Sequence, residues 1–223
     1  MSRRLLAFIS TTILIIAAGF AFVFDIGGMR VTLTNRWYEV THPEVVGGSC
    51  LCCEGALEFP ADPALSHIGI LSDYAEAVQN KIEIHGSVYQ PDGLTPAPGI
   101  ILYIYHPDQA GHFPQLGDLR GCAQVHGTLR GWLQTNAHGE YTFLTARPGS
   151  EGGMPTHIHL IVKEPDKNAY EIAAFTFADD PLFAGKEASP RGGSGVLRDG
   201  AVEAGVTRYR RDIILGLNIP NYR

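Results

Sequence analysis

Met154-Pro155-Thr156-His157-Ile158-His159-Leu160-Ile161-Val162 is the stretch whose reading decides the fold of this chain. It reads as a β-strand, because Ile158, Leu160 and Val162 fall on one face and His157, His159 and Ile161 on the other, the two-residue period of a pleated chain. The apolar face is complete without the imidazoles, so the strand can bury one side and leave the histidines lining a cavity. Two imidazoles two residues apart on one face can converge on a single metal ion, each offering a neutral ring nitrogen. The bland competitor is a strand end with one histidine hydrogen-bonded and the other in solvent.

Working outward, the texture from Lys81 onward is short alternating runs separated by Gly, Pro and Asn, which predicts an antiparallel β-sandwich. Ile82, Ile84 and Val88 alternate ahead of the turn Pro91-Asp92-Gly93. Further strands are expected over Ile100 to Tyr105, Thr128 to Thr135, Glu140 to Thr145, Tyr170 to Phe177 and Arg211 to Leu217. Asn136-Ala137-His138-Gly139 suits a hairpin tip, since Asn and Gly tolerate positive φ, and His138 there reads as a solvated turn residue. Tyr103, Tyr105 and Tyr141 read as packed core aromatics. The loop Arg147 to Gly153 leads into the His-x-His strand and delivers its residues beside the histidines. Before the sandwich, Val31 to Val40 reads as a short strand and Ala64 to Gln79 as one helix or an irregular arm. The resulting division is residues 1–25 as signal peptide or membrane anchor, 26–80 as an arm with a cysteine cluster, and 81–223 as the all-β sandwich.

The chain has 223 residues, 45% of them hydrophobic, with 26 Gly and 14 Pro, which suits one turn-rich domain better than a helical bundle. Its formal net charge of −6 carries no basic patch, which argues against nucleic-acid binding. Met1-Ser2-Arg3-Arg4 followed by the uncharged run Leu5 to Phe24 has the flank and length of a signal peptide or a single membrane anchor, with removal and retention both open. Positive charge ahead of the run places the body outside the cytoplasm, in the periplasm or extracellular space. There the four cysteines, Cys50, Cys52, Cys53 and Cys122, are disulfide candidates, with one bridge joining the cluster to Cys122 and its partner in the cluster open. A zinc site suits the adjacent Cys52 and Cys53 poorly.

Taken in order, Ile84-His85-Gly86-Ser87-Val88, Tyr103 through Gly111, Thr135 through Phe143, Arg147-Pro148-Gly149, Pro155-Thr156-His157-Ile158-His159 and Phe177 through Leu182 resemble the intradiol ring-cleavage dioxygenases, the catechol and protocatechuate dioxygenase family. The collinear pieces cover roughly residues 81 to 183, and the chain looks like an exported branch of that family. The resemblance implies a β-sandwich holding non-haem Fe3+ on two tyrosinates and two histidines. It also implies a catechol-type aromatic and dioxygen as the reacting partners, and often a homo-oligomer.

The two histidines carry over as His157 and His159. The tyrosines do not: their positions are Phe113, after Gly111-His112, and the neighbourhood of Glu151, after Pro148-Gly149-Ser150. An arginine expected three residues before the first histidine is Met154, and a glutamine expected on the next strand is Ala174. Phenolates are hard anionic donors that stabilise Fe3+, so their loss favours Fe2+ or another metal such as copper. Glu151 can complete a two-histidine, one-carboxylate set; His126 and, ranked lower, His112 are alternative third ligands. Each has an ordinary reading as well: a solvated loop acid, a hydrogen-bonded wall residue and a turn residue. The expected function is therefore an iron-dependent dioxygenase with an altered ligand set. The alternatives are a membrane-tethered binding or structural sandwich without catalysis, and a copper or Fe2+ enzyme using His157 and His159.

Overall fold

In the computed structural model, which describes residues 37, 41–60, 64–77, 79–185, 187 and 190–223, Ile158, Leu160 and Val162 are fully buried on one face of the central His-x-His strand. That face alone contributes roughly 5–9 kcal/mol of apolar burial. A one-residue slip would drive the imidazoles into the core, so the hydrophobic pattern fixes the register of His157 and His159.

The elements in chain order are a 3-10 turn (Cys53–Leu57), β1 (Ile68–Ile70), α1 (Ser72–Glu76), β2 (Lys81–Tyr89), β3 (Ile101–Tyr105), α2 (Ala123–His126), β4 (Arg130–Gln134), β5 (Glu140–Ala146) and β6 (His157–Lys163). There follow β7 (Tyr170–Glu171), β8 (Phe175–Phe177), β9 (Val196–Leu197), β10 (Ala201–Glu203), β11 (Val206–Arg210) and β12 (Ile213–Ile214). One sheet runs β1-β5-β2-β11-β10 with β12 also on β2; the other runs β4-β3-β6-β8-β9 with β7 also on β6. The core between them takes Ile82, Ile84 and Phe143 from the first sheet and Leu102, Ile104, Leu160 and Phe175 from the second.

The predicted sandwich is present, but the strands are not all antiparallel. β1 on β5, β11 and β12 on β2, and β9 on β8 are parallel pairs, so both sheets are mixed. The sheet also begins before residue 81. β1 pairs along Ile68↔Thr142 to Ile70↔Leu144, where one helix or an irregular arm was expected. The strand expected over Tyr170 to Phe177 is two short ones, and the one over Arg211 to Leu217 shrinks to Ile213–Ile214. The run Leu5 to Phe24 and, apart from Trp37, the strand expected over Val31 to Val40 lie outside the described residues. Among the described residues, no helix is long and apolar enough to cross a membrane.

The cysteine cluster holds one bridge within itself. Cys50 bridges Cys53 within the cluster, and Cys52 and Cys122 carry free thiols. The bridged segment lies on the outer face of the second sheet, where Cys53 and Ala56 cover Tyr103, Tyr105 and Ile161. Trp132 Nε1 donates to the Gly55 carbonyl at 2.8 Å, which ties the segment to β4.

Candidate metal centre

The outer face of β6 carries His157 and His159, and β3 lies beside it with Tyr105 opposite His159. The third contributor arrives from the β5–β6 loop. The Gly149 N–H donates to the Asp108 carbonyl at 2.9 Å, and the Met154 N–H closes a turn onto the Glu151 carbonyl at 2.8 Å. Asp180 accepts from the Thr156 N–H at 3.1 Å and so anchors the chain one residue ahead of His157. These contacts bring the Glu151 Oε2 to 3.9 Å from His157 Nε2. Donor atoms of Glu151, His157 and His159 all lie within 4.8 Å of one another.

The hydrogen-bond partners settle which ring nitrogens are bare. His157 Nδ1 lies 2.8 Å from the Pro155 carbonyl, which can only accept, so that nitrogen holds the hydrogen. His159 Nδ1 likewise faces the Glu171 carboxylate at 3.2 Å. Both Nε2 atoms are then lone-pair donors, and they face one another at 3.2 Å. Two lone pairs at that distance repel unless a proton or a cation lies between them. The spacing is also that of neighbouring donors around one ion with metal–nitrogen bonds of about 2.0–2.1 Å. Burial, followed by the neighbouring His159, pushes the His157 pKa down, which keeps the ring neutral and able to ligate. The Glu171 and Pro155 partners orient the rings as outer-shell groups do in metal sites.

Other candidates fall differently. His126 is buried beneath Tyr105, their ring centroids 3.7 Å apart, while the other face of Tyr105 stacks on His159 at 4.4 Å. An aromatic ring therefore separates His126 from His159. Its hydrogen bond is to the Tyr103 hydroxyl at 2.8 Å, and burial pushes its pKa down to about 4. His112 is exposed, and its ring is not among the clustered donors. Phe113 stands at the edge of the site, 6.5 Å between its ring centroid and that of His159. Burial raises the pKa values of Tyr103 and Tyr105 well above the ordinary tyrosine range, so both are neutral phenols packed in the outer cluster. Tyr141, also buried, belongs to the first sheet, away from these histidines, and donates to the Arg211 carbonyl between β11 and β12 at 2.7 Å.

A donor set of two imidazoles and one carboxylate, with no phenolate, fits a divalent ion with open positions and does not fit a ferric ion held by tyrosinates. Beside it opens a cleft of about 440 Å³ lined by His157, Glu171, Met154, Ala174, Phe183 and Arg191 among others. Met154 and Ala174, where the resemblance implies an arginine and a glutamine, form part of its wall. Sequence reasoning missed Glu171. It sits on a two-residue strand opposite Ile161, and no motif or spacing marks it.

The fold is that of the intradiol ring-cleavage dioxygenases. Catechol 1,2-dioxygenase from Acinetobacter sp. ADP1, in a structure inhibited by bound mercury, aligns with 95% of this chain and 83% of its own at TM-score 0.52 and 16% identity. Chlorocatechol 1,2-dioxygenase from Pseudomonas putida aligns with 96% of this chain and 99% of its own, also at TM-score 0.52 and 16% identity. In sequence, the chain is similar to catechol 1,2-dioxygenase 1 of Acinetobacter lwoffii, 26% identical over 160 residues, or 62% of this chain. That match takes in 49% of the relative, so the chain spans about half the length of the curated protein it resembles. No protein-family model matches. The resemblance read from the ordered motifs is borne out by this relative in sequence and by the shared fold.

Proposed function

We propose that this chain is a metal-dependent dioxygenase of the intradiol type, acting on a small catechol-type aromatic, with iron held by His157, His159 and Glu151 in place of a two-tyrosinate set. The observation that carries the reading is the pair of bare Nε2 atoms 3.2 Å apart, each with its Nδ1 hydrogen already committed, beside a carboxylate. Bound there, the ion would supply Lewis acidity toward the diol oxygens and a site for dioxygen.

The chain's own residues do the rest. Glu171 and the Pro155 carbonyl hold the two imidazoles in the ligating tautomer. Tyr105 packs flat on His159 and, together with Phe113, keeps water from that side. Met154, Ala174 and Phe183 give the neighbouring cleft an apolar wall beside the charged Glu171 and Arg191, which suits a small flat aromatic ring that carries polar substituents. Export of the body belongs to the same proposal, since the Cys50–Cys53 bridge is the kind that an oxidising compartment maintains.

The test is the metal content of protein purified without chelators or affinity nickel, followed by oxygen uptake with catechols. Near-stoichiometric iron, lost in a His157→Ala, His159→Ala variant and reduced in Glu151→Ala, supports the reading, as does uptake of one O2 per ring opened. Copper in place of iron would move the assignment to a copper enzyme. A folded protein that takes up no metal would make this a non-catalytic binding sandwich.

A further inference from the structure

Cys52 and Cys122 are distant in sequence, yet their sulfurs lie within 4.8 Å of one another and of a Glu54 carboxylate oxygen. Cys52 adopts a left-handed backbone, φ 59°, uncommon for a residue other than glycine. Across from it, Cys122 immediately precedes α2 with its N–H held by the Glu58 Oε1 at 2.8 Å. A Cβ on Gly55 would lie 3.1 Å from the Cys122 Cβ, so the 3-10 turn and the start of α2 touch without room for a side chain between them.

We propose that Cys52 and Cys122 form a second disulfide, a latch that fastens the 50–58 segment over the aromatic cluster backing His159. This goes beyond the metal reading and does not depend on it. Cys52 is half-buried and Cys122 buried, so a small or protein disulfide donor reaches Cys52 first. The Cys52 thiolate displaces one donor sulfur, which leaves as a thiol and gives a mixed disulfide. Cys122 then gives up its proton, with the Glu54 carboxylate at hand to take it, and its sulfur displaces the second donor thiol. The two protein thiols are oxidised and the donor disulfide is reduced to two thiols. Burial, with Cys52 alongside, pushes the Cys122 thiol up to about 12, so Cys122 stays protonated and acts second, as the thiol that resolves the mixed disulfide. A metal ion would find two sulfurs and one exposed carboxylate there, one donor short of a closed tetrahedral site.

Trypsin places Cys122 on the peptide 121–130 and the other three cysteines on 37–81. Mapping of the full chain, made in an oxidising compartment and alkylated before digestion, should recover these two peptides linked. The link should persist in a Cys50→Ser, Cys53→Ser variant and vanish in Cys52→Ser. In the former variant, reduction should lower Tm by about 6–12 °C. The proposal is overturned by two thiols that titrate in denaturant, by thiols that appear only after a chelator, or by a link that survives in Cys52→Ser.

Discussion

Glu171 is exposed enough that its removal leaves the core intact, yet its carboxylate is what keeps the His159 hydrogen on Nδ1. Glu171→Ala should therefore weaken metal binding about 10–100-fold in a competitive chelator titration, with unfolding unchanged. Glu171→Gln should recover most of it, because an amide oxygen can accept the same hydrogen; equal loss in both variants would mean that charge, and not orientation, is the role. His157 and His159 were legible in the sequence because a two-residue period and a complete apolar face leave little else for them to do. Glu151 was legible as one of three candidates only because the loop order placed it ahead of the strand. What no pattern conveyed was that Tyr105 would lie between His126 and His159, since that depends on cross-strand register between β3 and β6.

At the scale of the element, the site rests on two loops in backbone contact. Gly111, at φ +82°, ends the turn after β3, and a Cβ there would lie 2.0 Å from the Ser150 carbonyl oxygen. Gly111→Ala combines a left-handed backbone with that clash, so about 2–4 kcal/mol of stability should be lost in denaturant titration. Because Ser150 precedes Glu151, metal affinity should fall further than in a surface control of equal stability; unchanged affinity would show that Glu151 is placed by something else. Strands such as β2 and β5 could be read because each alternates over five residues or more, and β6 because His157 to Leu160 alternate ahead of an apolar run. β10 could not, since all three of its residues are exposed, and β7, β9 and β12 are too short to show a period.

For the molecule as a whole, acid is the condition that opposes the fold. Burial holds His126 at about 4, and lowers His106 and His157 as well, each against an ordinary value of 6.5. A histidine depressed in the folded state is protonated first in the unfolded chain. Stability is therefore full above about pH 6.5 and is lost as pH falls toward 4, by ~3 kcal/mol from His126 alone. Denaturation of metal-free protein at pH 7, 5.5 and 4 should show that decline, and His126→Asn should flatten part of it; a flat wild-type profile down to pH 5 would contradict it. The sandwich was foreseeable from alternation and turns, but its mixed sheets were not, because alternation carries no information on which distant strand lies alongside or in what direction. The parallel seating of β11 and β12 against β2 has a consequence for biogenesis. Residues 81–89 leave the ribosome well before 206–214, so one flank of β2 stays open for roughly 5–25 s at ordinary translation speeds. The first sheet is closed by the last segment of chain to join it, and until then the newborn protein has an unguarded edge.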